Sequence, residues 1–133
     1  MTAHSPQIME PDQTAIVEFW NEVLAPKFLQ YQHVLVGGLS RHSAAVLPAL
    51  DIAPGARVLD VGCGFGDTAI ALAERVGSAG HVTGVDCCQA FLDIAQKSAE
   101  ENSVTNISFV EGDAERGLEE TNADFVFARF GTM

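Results

Sequence analysis

The segment VLDVGCGFG, residues 58–66, carries the strongest chemical signal in the sequence. Three glycines, Gly62, Gly64 and Gly66, alternate with other residues directly after a hydrophobic stretch. Glycine adopts positive φ angles without steric cost and lets a ligand approach the backbone. A helix that follows such a turn supplies unpaired N–H groups and the positive end of its dipole. We therefore predict a ligand-binding turn, although a tight strand-to-helix connection alone would also explain the glycines.

The spacing of these glycines indicates the kind of ligand. The dinucleotide fingerprint G-x-G-x-x-G requires a third glycine where this chain has Asp67. A carboxylate at the start of a helix suits the helix dipole, but it opposes a pyrophosphate. The turn therefore predicts a nucleoside ligand that lacks phosphates.

Two aspartates further along the chain have positions that suit a nucleoside. Asp86 ends the next predicted strand, about 20 residues beyond the glycines, where an acid can accept both hydroxyls of a ribose. Asp113 ends the third predicted strand, where its carboxylate can accept from an adenine amino group while the Ala114 N–H donates to a ring nitrogen. For each aspartate alone, a role as an ordinary turn residue explains the position as well as a role in binding a nucleoside. Together, at the ends of consecutive strands, they favour one shared crevice.

The elements that must position these residues alternate between strand and helix. The predicted strands are RVLDV, HVTGVD, ISFVEGD and ADFVFARF, and the helices between the first three run from about Asp67 to Gly77 and from Gln89 to about Asn102. The last strand is almost continuously apolar, as is typical of a sheet covered on both faces. This order predicts an α/β fold with a parallel sheet and right-handed crossovers.

The segment before these strands is predicted to be helical. Asp12 and Thr14 are candidate N-caps of a first helix, which Pro26 is expected to end or kink. Gly37-Gly38 are expected to break the chain, and Ser40 is a candidate cap of a second helix.

Composition excludes several functions. The 133 residues suffice for one domain, and 18 acidic against seven basic residues give a net charge of -11, which would repel nucleic acid. Cys63, Cys87 and Cys88 are odd in number and lack the spacing of a metal site, which predicts a reduced, cytoplasmic protein without bound metal. Neither a signal peptide nor an apolar window of about 20 residues is present, so we expect no membrane span.

The motifs VLDVGCGFGDTAIALA, GVD, EGDAE and DFVFARFGTM resemble those of class I S-adenosylmethionine-dependent methyltransferases, particularly the branch of ubiquinone/menaquinone-type small-molecule methylases. The resemblance covers roughly Ala53 to the end. It implies a Rossmann-like three-layer sandwich with sheet order 3-2-1-4 and S-adenosylmethionine across the switch point between strands one and four. We therefore expect an enzyme that transfers a methyl group from S-adenosylmethionine to a small organic acceptor and releases S-adenosylhomocysteine.

The resemblance also implies which residues contact the cofactor. The methionine moiety would meet Asp60, Gly62 and Gly64, and its ammonium group would meet the backbone carbonyl of Arg129. The adenosine would meet four others, Asp86 at the ribose, Cys87 at the adenine face, and Asp113 with Ala114 at the adenine edge. No residue is assigned as a catalytic base.

The same resemblance implies a division into two parts. Residues 1–52 would form a helical cap or lid, and residues 53–133 the S-adenosylmethionine-binding half-domain. Trp20 and Tyr31 are candidates for lining the lid, although packing within the lid also explains them.

Family members continue beyond the RFGTM motif, so we expect strands five to seven to be absent here. Strand four would then be an exposed edge, which we expect an oligomer or a partner chain to cover. Two alternatives remain open at this point. One is a module that binds the cofactor without turnover and acts through a partner; the other is an enzyme of different chemistry, such as a dinucleotide reductase.

Overall fold

A four-stranded parallel sheet forms the centre of the protein in the computed structural model, which describes residues 15–118 and 122–131. Its strands are β1 (Arg57–Val61), β2 (His81–Asp86), β3 (Ile107–Glu111) and β4 (Phe125–Phe127). Their order is β3-β2-β1-β4, and every pairing is parallel. The strand order reverses at β1, which lies between β2 and β4. The predicted Rossmann-like α/β fold with order 3-2-1-4 is confirmed.

Two crossover helices connect the first three strands. They are α4 (Asp67–Val76) and α5 (Gln89–Glu101), close to the predicted bounds. Helix α4 ends at Gly77, whose φ of 72° a glycine adopts without strain. The apolar faces of both helices are buried, and their positions recur at three- and four-residue steps: Ala69, Ile70, Leu72, Ala73 and Val76 in α4, and Phe91, Leu92, Ala95 and Ala99 in α5.

Side chains of β1 alternate between two core clusters. Val58 belongs to the cluster formed with α4, whereas Leu59 and Val61 belong to a cluster with Val85 on the other face. This alternation is what the twofold period of a strand produces. The carboxyl end of β1 is therefore fixed from both faces of the sheet.

Strand β4 is shorter than the sequence predicts. Only Phe125–Phe127 pair with β1, and Arg129 and Phe130 lie beyond the strand. Phe130 has a φ of 59°, which turns the chain and brings Gly131 against the end of β1. Val126 is 60% exposed, so the predicted cover on both faces is wrong for the described residues.

The amino-terminal helices differ from the prediction around Pro26. Helix α1 (Ala15–Phe19) continues through a π-helical turn at Trp20–Leu24 into α2 (Ala25–Gln30). Pro26 is the second residue of α2, directly after the π-helical turn, and it does not end the helical segment. The break occurs at Tyr31, whose φ of -108° and ψ of 22° are not helical.

The predicted break at Gly37-Gly38 is also wrong. Helix α3 (Gln32–Val46) runs through both glycines, and Ser40 lies inside it with its hydroxyl donating to the Gly37 carbonyl at 3.1 Å. A helix tolerates glycine at a cost of about 1 kcal/mol relative to alanine, so contacts elsewhere can override it. The candidate caps Asp12 and Thr14 lie outside the described residues.

In the described ranges, 15–118 and 122–131, no helix has both the length and the apolar character needed to cross a membrane.

Candidate functional site

The glycine turn lies between the carboxyl end of β1 and the start of α4. Gly62, Gly64 and Gly66 have φ angles of 70°, 54° and 82°. A Cβ at Gly62 would lie 2.4 Å from the Gly131 Cα, and one at Gly66 would lie 2.7 Å from the Ala95 Cβ. Both conformation and close packing therefore require glycine at these two positions.

The turn is held against the end of β2. The N–H groups of Gly62 and Cys63 donate to the Val85 carbonyl at 2.8 and 3.0 Å. Asp86 accepts from the Gly64 N–H at 2.9 Å through Oδ2 and from the Cys88 N–H at 3.0 Å through Oδ1. Asp86 thus joins the glycine turn to the start of α5.

These bonds bear on whether Asp86 is a turn residue or a residue that binds a ribose. Burial raises the pKa of its carboxyl, and the backbone N–H groups of Gly64, Cys88 and Cys87 oppose that rise. A carboxylate has about four lone-pair sites. These backbone donors leave room for a ribose hydroxyl, so a turn role and a ribose role are compatible at this residue.

Asp60 is the most deeply buried carboxyl of this region. It is 2% exposed, and its Oδ2 has no hydrogen-bond partner among the described residues. Its pKa is raised from 3.8 to about 7, chiefly by burial; Arg129 opposes this rise, and the charges of Asp67 and Asp86 add to it. A buried acceptor without a donor costs about 1–3 kcal/mol. The side chain therefore suits a cationic donor such as an ammonium group.

Asp113 follows β3 and caps the short 3-10 turn Ala114–Arg116. Its Oδ1 accepts from the Glu115 N–H at 3.0 Å. Its Oδ2 is buried without a hydrogen-bond partner among the described residues and lies 3.7 Å from the Arg116 Nε. The Gly112 N–H donates to the Asp86 carbonyl at 3.0 Å, so the ends of β2 and β3 meet at this edge.

The three cysteines are free thiols. Cys63 and Cys88 are 4% and 1% exposed and pack as small buried residues. Burial is the main cause that raises the pKa of all three thiols, for Cys87 to about 11. Neutral thiols are poor nucleophiles and metal ligands. Within the part of the chain that the structure describes, no group of three or more His, Cys, Asp or Glu side chains could hold a metal ion.

The sequence did not indicate an ion pair at the start of α4. Arg129 binds Asp67 through two hydrogen bonds of 2.9 and 3.1 Å, and it also donates to the Ser43 hydroxyl at 2.8 Å. This pairing offsets part of the negative charge that Asp67 brings to the start of α4. That this carboxylate opposes a pyrophosphate stays a prediction.

The amino-terminal helices reach the glycine turn through aromatic rings. Trp20 packs on Phe28 at 5.1 Å between ring centroids and on Phe91 at 6.5 Å, and Phe91 contacts Phe65 of the turn at 4.8 Å. Trp20 thus connects the amino-terminal helices to Phe91 of α5, which contacts the turn, whereas Tyr31 is 53% exposed. That these helices form a lid stays a prediction.

A shallow cleft of about 290 Å³ lies at the opposite edge of the sheet, near the amino ends of β1 and β4, and is lined by Asp124, Phe125 and residues 51–56. The predicted cofactor residues lie at or just beyond the carboxyl ends of the strands. In open α/β sheets, ligands bind at that carboxyl edge, where the strand order reverses. We therefore place the candidate site there and not in the cleft.

The chain is similar to known methyltransferases. Residues 58–133 match the methyltransferase-domain family. The chain is 38% identical over 87 residues to the demethylmenaquinone methyltransferase of Staphylococcus aureus strain MRSA252, covering 65% of this chain and 35% of that protein. It is 35% identical over 95 residues to the Bacillus cereus protein of the same name, covering 68% of this chain and 40% of that protein.

A solved S-adenosylmethionine-dependent methyltransferase from Aquifex aeolicus superposes with a TM-score of 0.58 at 26% identity, covering 64% of this chain and 46% of that one. The chain spans 35% and 40% of the lengths of the two curated relatives. The predicted resemblance to class I methyltransferases is confirmed, and these relatives support S-adenosylmethionine as the cofactor. Because the family match covers more than half of its residues, the chain belongs to the methyltransferase-domain family.

Proposed function

We propose that this domain binds S-adenosylmethionine along the carboxyl edge of the sheet, and that the protein transfers the methyl group to a small organic acceptor and releases S-adenosylhomocysteine. One observation carries the proposal. The ends of β1, β2 and β3 are tied together by the bonds from the Gly64 N–H to Asp86 and from the Gly112 N–H to the Asp86 carbonyl. Three acidic strand ends thus form one crevice beside a glycine turn.

The methionine moiety occupies the end of this crevice at β1. Asp60, Gly62 and Gly64 contact it, and the Arg129 backbone carbonyl accepts from its ammonium group. The unpartnered Oδ2 of Asp60 supports this assignment, as do the charges of Asp67 and Asp86 that act on it. Carboxylates close together favour a ligand with a sulfonium and an ammonium over a pyrophosphate.

The adenosine occupies the end of the crevice at β2 and β3. Asp86 accepts from the ribose hydroxyls, Cys87 lies against the adenine face, and Asp113 with Ala114 binds the adenine edge. The buried Asp113 Oδ2, which has no hydrogen-bond partner among the described residues, supports an amino group as its donor.

Methyl transfer from a sulfonium depends chiefly on alignment of the acceptor atom, the methyl carbon and the sulfur. The bound cofactor supplies the electrophilic methyl group. The residues described here bind and orient it, and none of them is assigned as a base. His42 packs edge-on against Phe130, with ring centroids 5.6 Å apart, and the cysteine thiols stay protonated at neutral pH.

The two curated relatives are named for demethylmenaquinone, so this compound is the first acceptor to test. Calorimetry should show that the chain binds S-adenosylhomocysteine and not NAD. Incubation with S-adenosylmethionine and a panel of small acceptors should then produce S-adenosylhomocysteine. Tighter binding of NAD would contradict the cofactor assignment, and binding without turnover on any acceptor would favour the binding module.

The organisation of the chain follows from the same proposal. Residues 1–52 act as a lid, and residues 53–133 form the cofactor-binding unit. The exposed Val126 and Phe130 at the β4 edge support cover by a second copy or a partner chain, and sedimentation velocity tests this. The three free thiols support a cytoplasmic location, which cell fractionation tests.

A further inference from the structure

Helix α3 meets the rest of the protein through a polar side chain. Ser43 is its buried residue, with 6% exposure, and Thr68 of α4 is 3% exposed. Their hydroxyl oxygens are 3.0 Å apart, and Arg129 donates to the Ser43 oxygen at 2.8 Å. A buried hydroxyl requires hydrogen-bond partners to offset its lost hydration. Because hydrogen bonds are directional, the bonds of Ser43 restrict the orientation of α3 in addition to the packing of its side chains.

These contacts continue directly to the glycine turn. Arg129 is bonded to Asp67, the first residue of α4, so the guanidinium connects three segments of the chain. Two residues later, Gly131 lies so close to Gly62 that neither position has room for a Cβ. The neighbouring Phe130 packs edge-on against His42 of α3. We call Ser43, Asp67, Thr68 and Arg129 the latch.

The latch holds both sides of the glycine turn. Asp67 and Thr68 fix its exit into α4, while Arg129 fixes the segment that packs on Gly62 at its entry. None of the latch residues contacts Asp86 or Asp113 through a hydrogen bond in the described chain. A different side chain, Asn21, ties the lid to that other end, where its amide donates to the Cys87 carbonyl at 3.0 Å.

We propose that the latch residues Ser43 and Arg129 are positioning residues, which couple the lid helix α3 to the part of the crevice that receives the amino-acid portion of the cofactor. The inference rests on the proposed function, because it assigns the β1 end of the crevice to methionine. With the latch intact, the glycine turn and the Arg129 carbonyl are held in the binding geometry before the ligand arrives. Without it, a smaller fraction of molecules is competent to bind the amino-acid portion.

Two ligands separate this role from a general effect on folding. S-adenosylhomocysteine contains the adenosine and the amino-acid portion, whereas 5′-methylthioadenosine retains the adenosine and lacks the amino acid. Calorimetry on the whole chain gives both dissociation constants. Ser43→Ala and Arg129→Gln should each raise the dissociation constant of S-adenosylhomocysteine about tenfold, as expected if the competent fraction falls to about a tenth. The constant for 5′-methylthioadenosine should change less than about twofold.

Arg75→Gln is the matched control. Arg75 of α4 also binds the carboxyl end of the α3 segment, through the carbonyls of Leu47 and Leu50, but it has no bond to the glycine turn. This variant should melt at a lower temperature and leave the ratio of the two constants unchanged. Asn21→Ala should weaken both ligands together, since its partner lies at the adenosine end.

The proposal is overturned if Ser43→Ala and Arg129→Gln weaken both ligands equally, or neither of them. Should Arg129→Gln fail to fold, the milder Ser43→Ala still decides the question. If the unaltered chain binds neither ligand, the proposed cofactor itself is wrong, and the latch proposal is refuted with it.

Discussion

The Arg129 guanidinium and the Asp67 carboxylate form a two-bond ion pair, with N–O distances of 2.9 and 3.1 Å, between side chains that are 14% and 23% exposed. This pair joins the segment after β4 to the first turn of α4. Two parallel N–H···O bonds to one carboxylate fix the orientation of an arginine as well as stabilising the pair. Its partial burial separates it from the exposed pair between Lys97 and Glu101, whose side chains are 77% and 65% exposed.

We expect Asp67→Asn to destabilise the protein by about 1–2 kcal/mol, because it leaves a partly buried guanidinium without its counter-charge. Urea unfolding monitored by circular dichroism gives the change in the free energy of unfolding. The matched control is Glu101→Gln, which should change that free energy by less than about 0.5 kcal/mol. Equal effects of the two substitutions would show that the Arg129 pair is only a surface contact.

Gly62→Ala should destabilise the protein by about 2 kcal/mol or more, because a Cβ there meets the Gly131 backbone and the φ of 70° is unfavourable. Gly37 provides the opposite case. It lies inside α3 with open space around it, so Gly37→Ala should stabilise the protein by about 0.5–1 kcal/mol. Thermal melts of both variants check this, and a loss of stability in Gly37→Ala would contradict the continuous helix.

Asp60 should make stability depend on pH. Its pKa is about 7 in the folded protein against an ordinary 3.8, so between these values the folded state holds a proton that the unfolded state has lost. The free energy of unfolding should therefore fall as pH rises from about 4 to 7 and level off above that. Asp60→Asn should remove this part of the slope. Identical slopes in urea titrations of the two proteins would refute the assignment.

The same carboxyl should link binding to pH. If the methionine ammonium pairs with ionised Asp60, binding releases a proton, and S-adenosylhomocysteine should bind more tightly at about pH 8 than at about pH 6. The comparison with Asp60→Asn isolates this effect from other titrating groups. Calorimetry in two buffers of different ionisation enthalpy counts the proton directly, and no release from the unaltered protein would argue against the pairing.

Asp86→Asn should weaken binding of S-adenosylhomocysteine by roughly 10- to 100-fold, since bonds to a charged acceptor contribute about 1.5–3 kcal/mol each. The structure adds an effect on folding. Both carboxylate oxygens accept from backbone N–H groups, and the amide would turn one acceptor into a donor. We therefore expect a lower melting temperature without ligand as well. An earlier melt with unchanged affinity would leave Asp86 as a turn residue alone.

The strands and crossover helices could be predicted because their signals are local. Alternation, buried apolar periods and the stop at Gly77 lie within short windows, and the strand ends place Asp60, Asp86 and Asp113 on one edge. Two features had no such signal. Arg129 and Asp67 are paired by the sheet, not by spacing, and the bonds of Ser43 to Thr68 and Arg129 likewise join residues far apart in the chain. The continuation of α3 through Gly37-Gly38 shows that the local preference of glycine did not decide the helix there.

The pairing of β4 with β1, which places Phe125 beside Val58, also means that the glycine turn depends on contacts of very different reach along the chain. The bond from the Gly64 N–H to Asp86 joins residues 22 positions apart, whereas the packing of Gly131 on Gly62 closes a much longer loop. The chain entropy lost on closing a loop rises slowly with its length. The contact at the β1 end of the turn therefore carries the larger entropic cost.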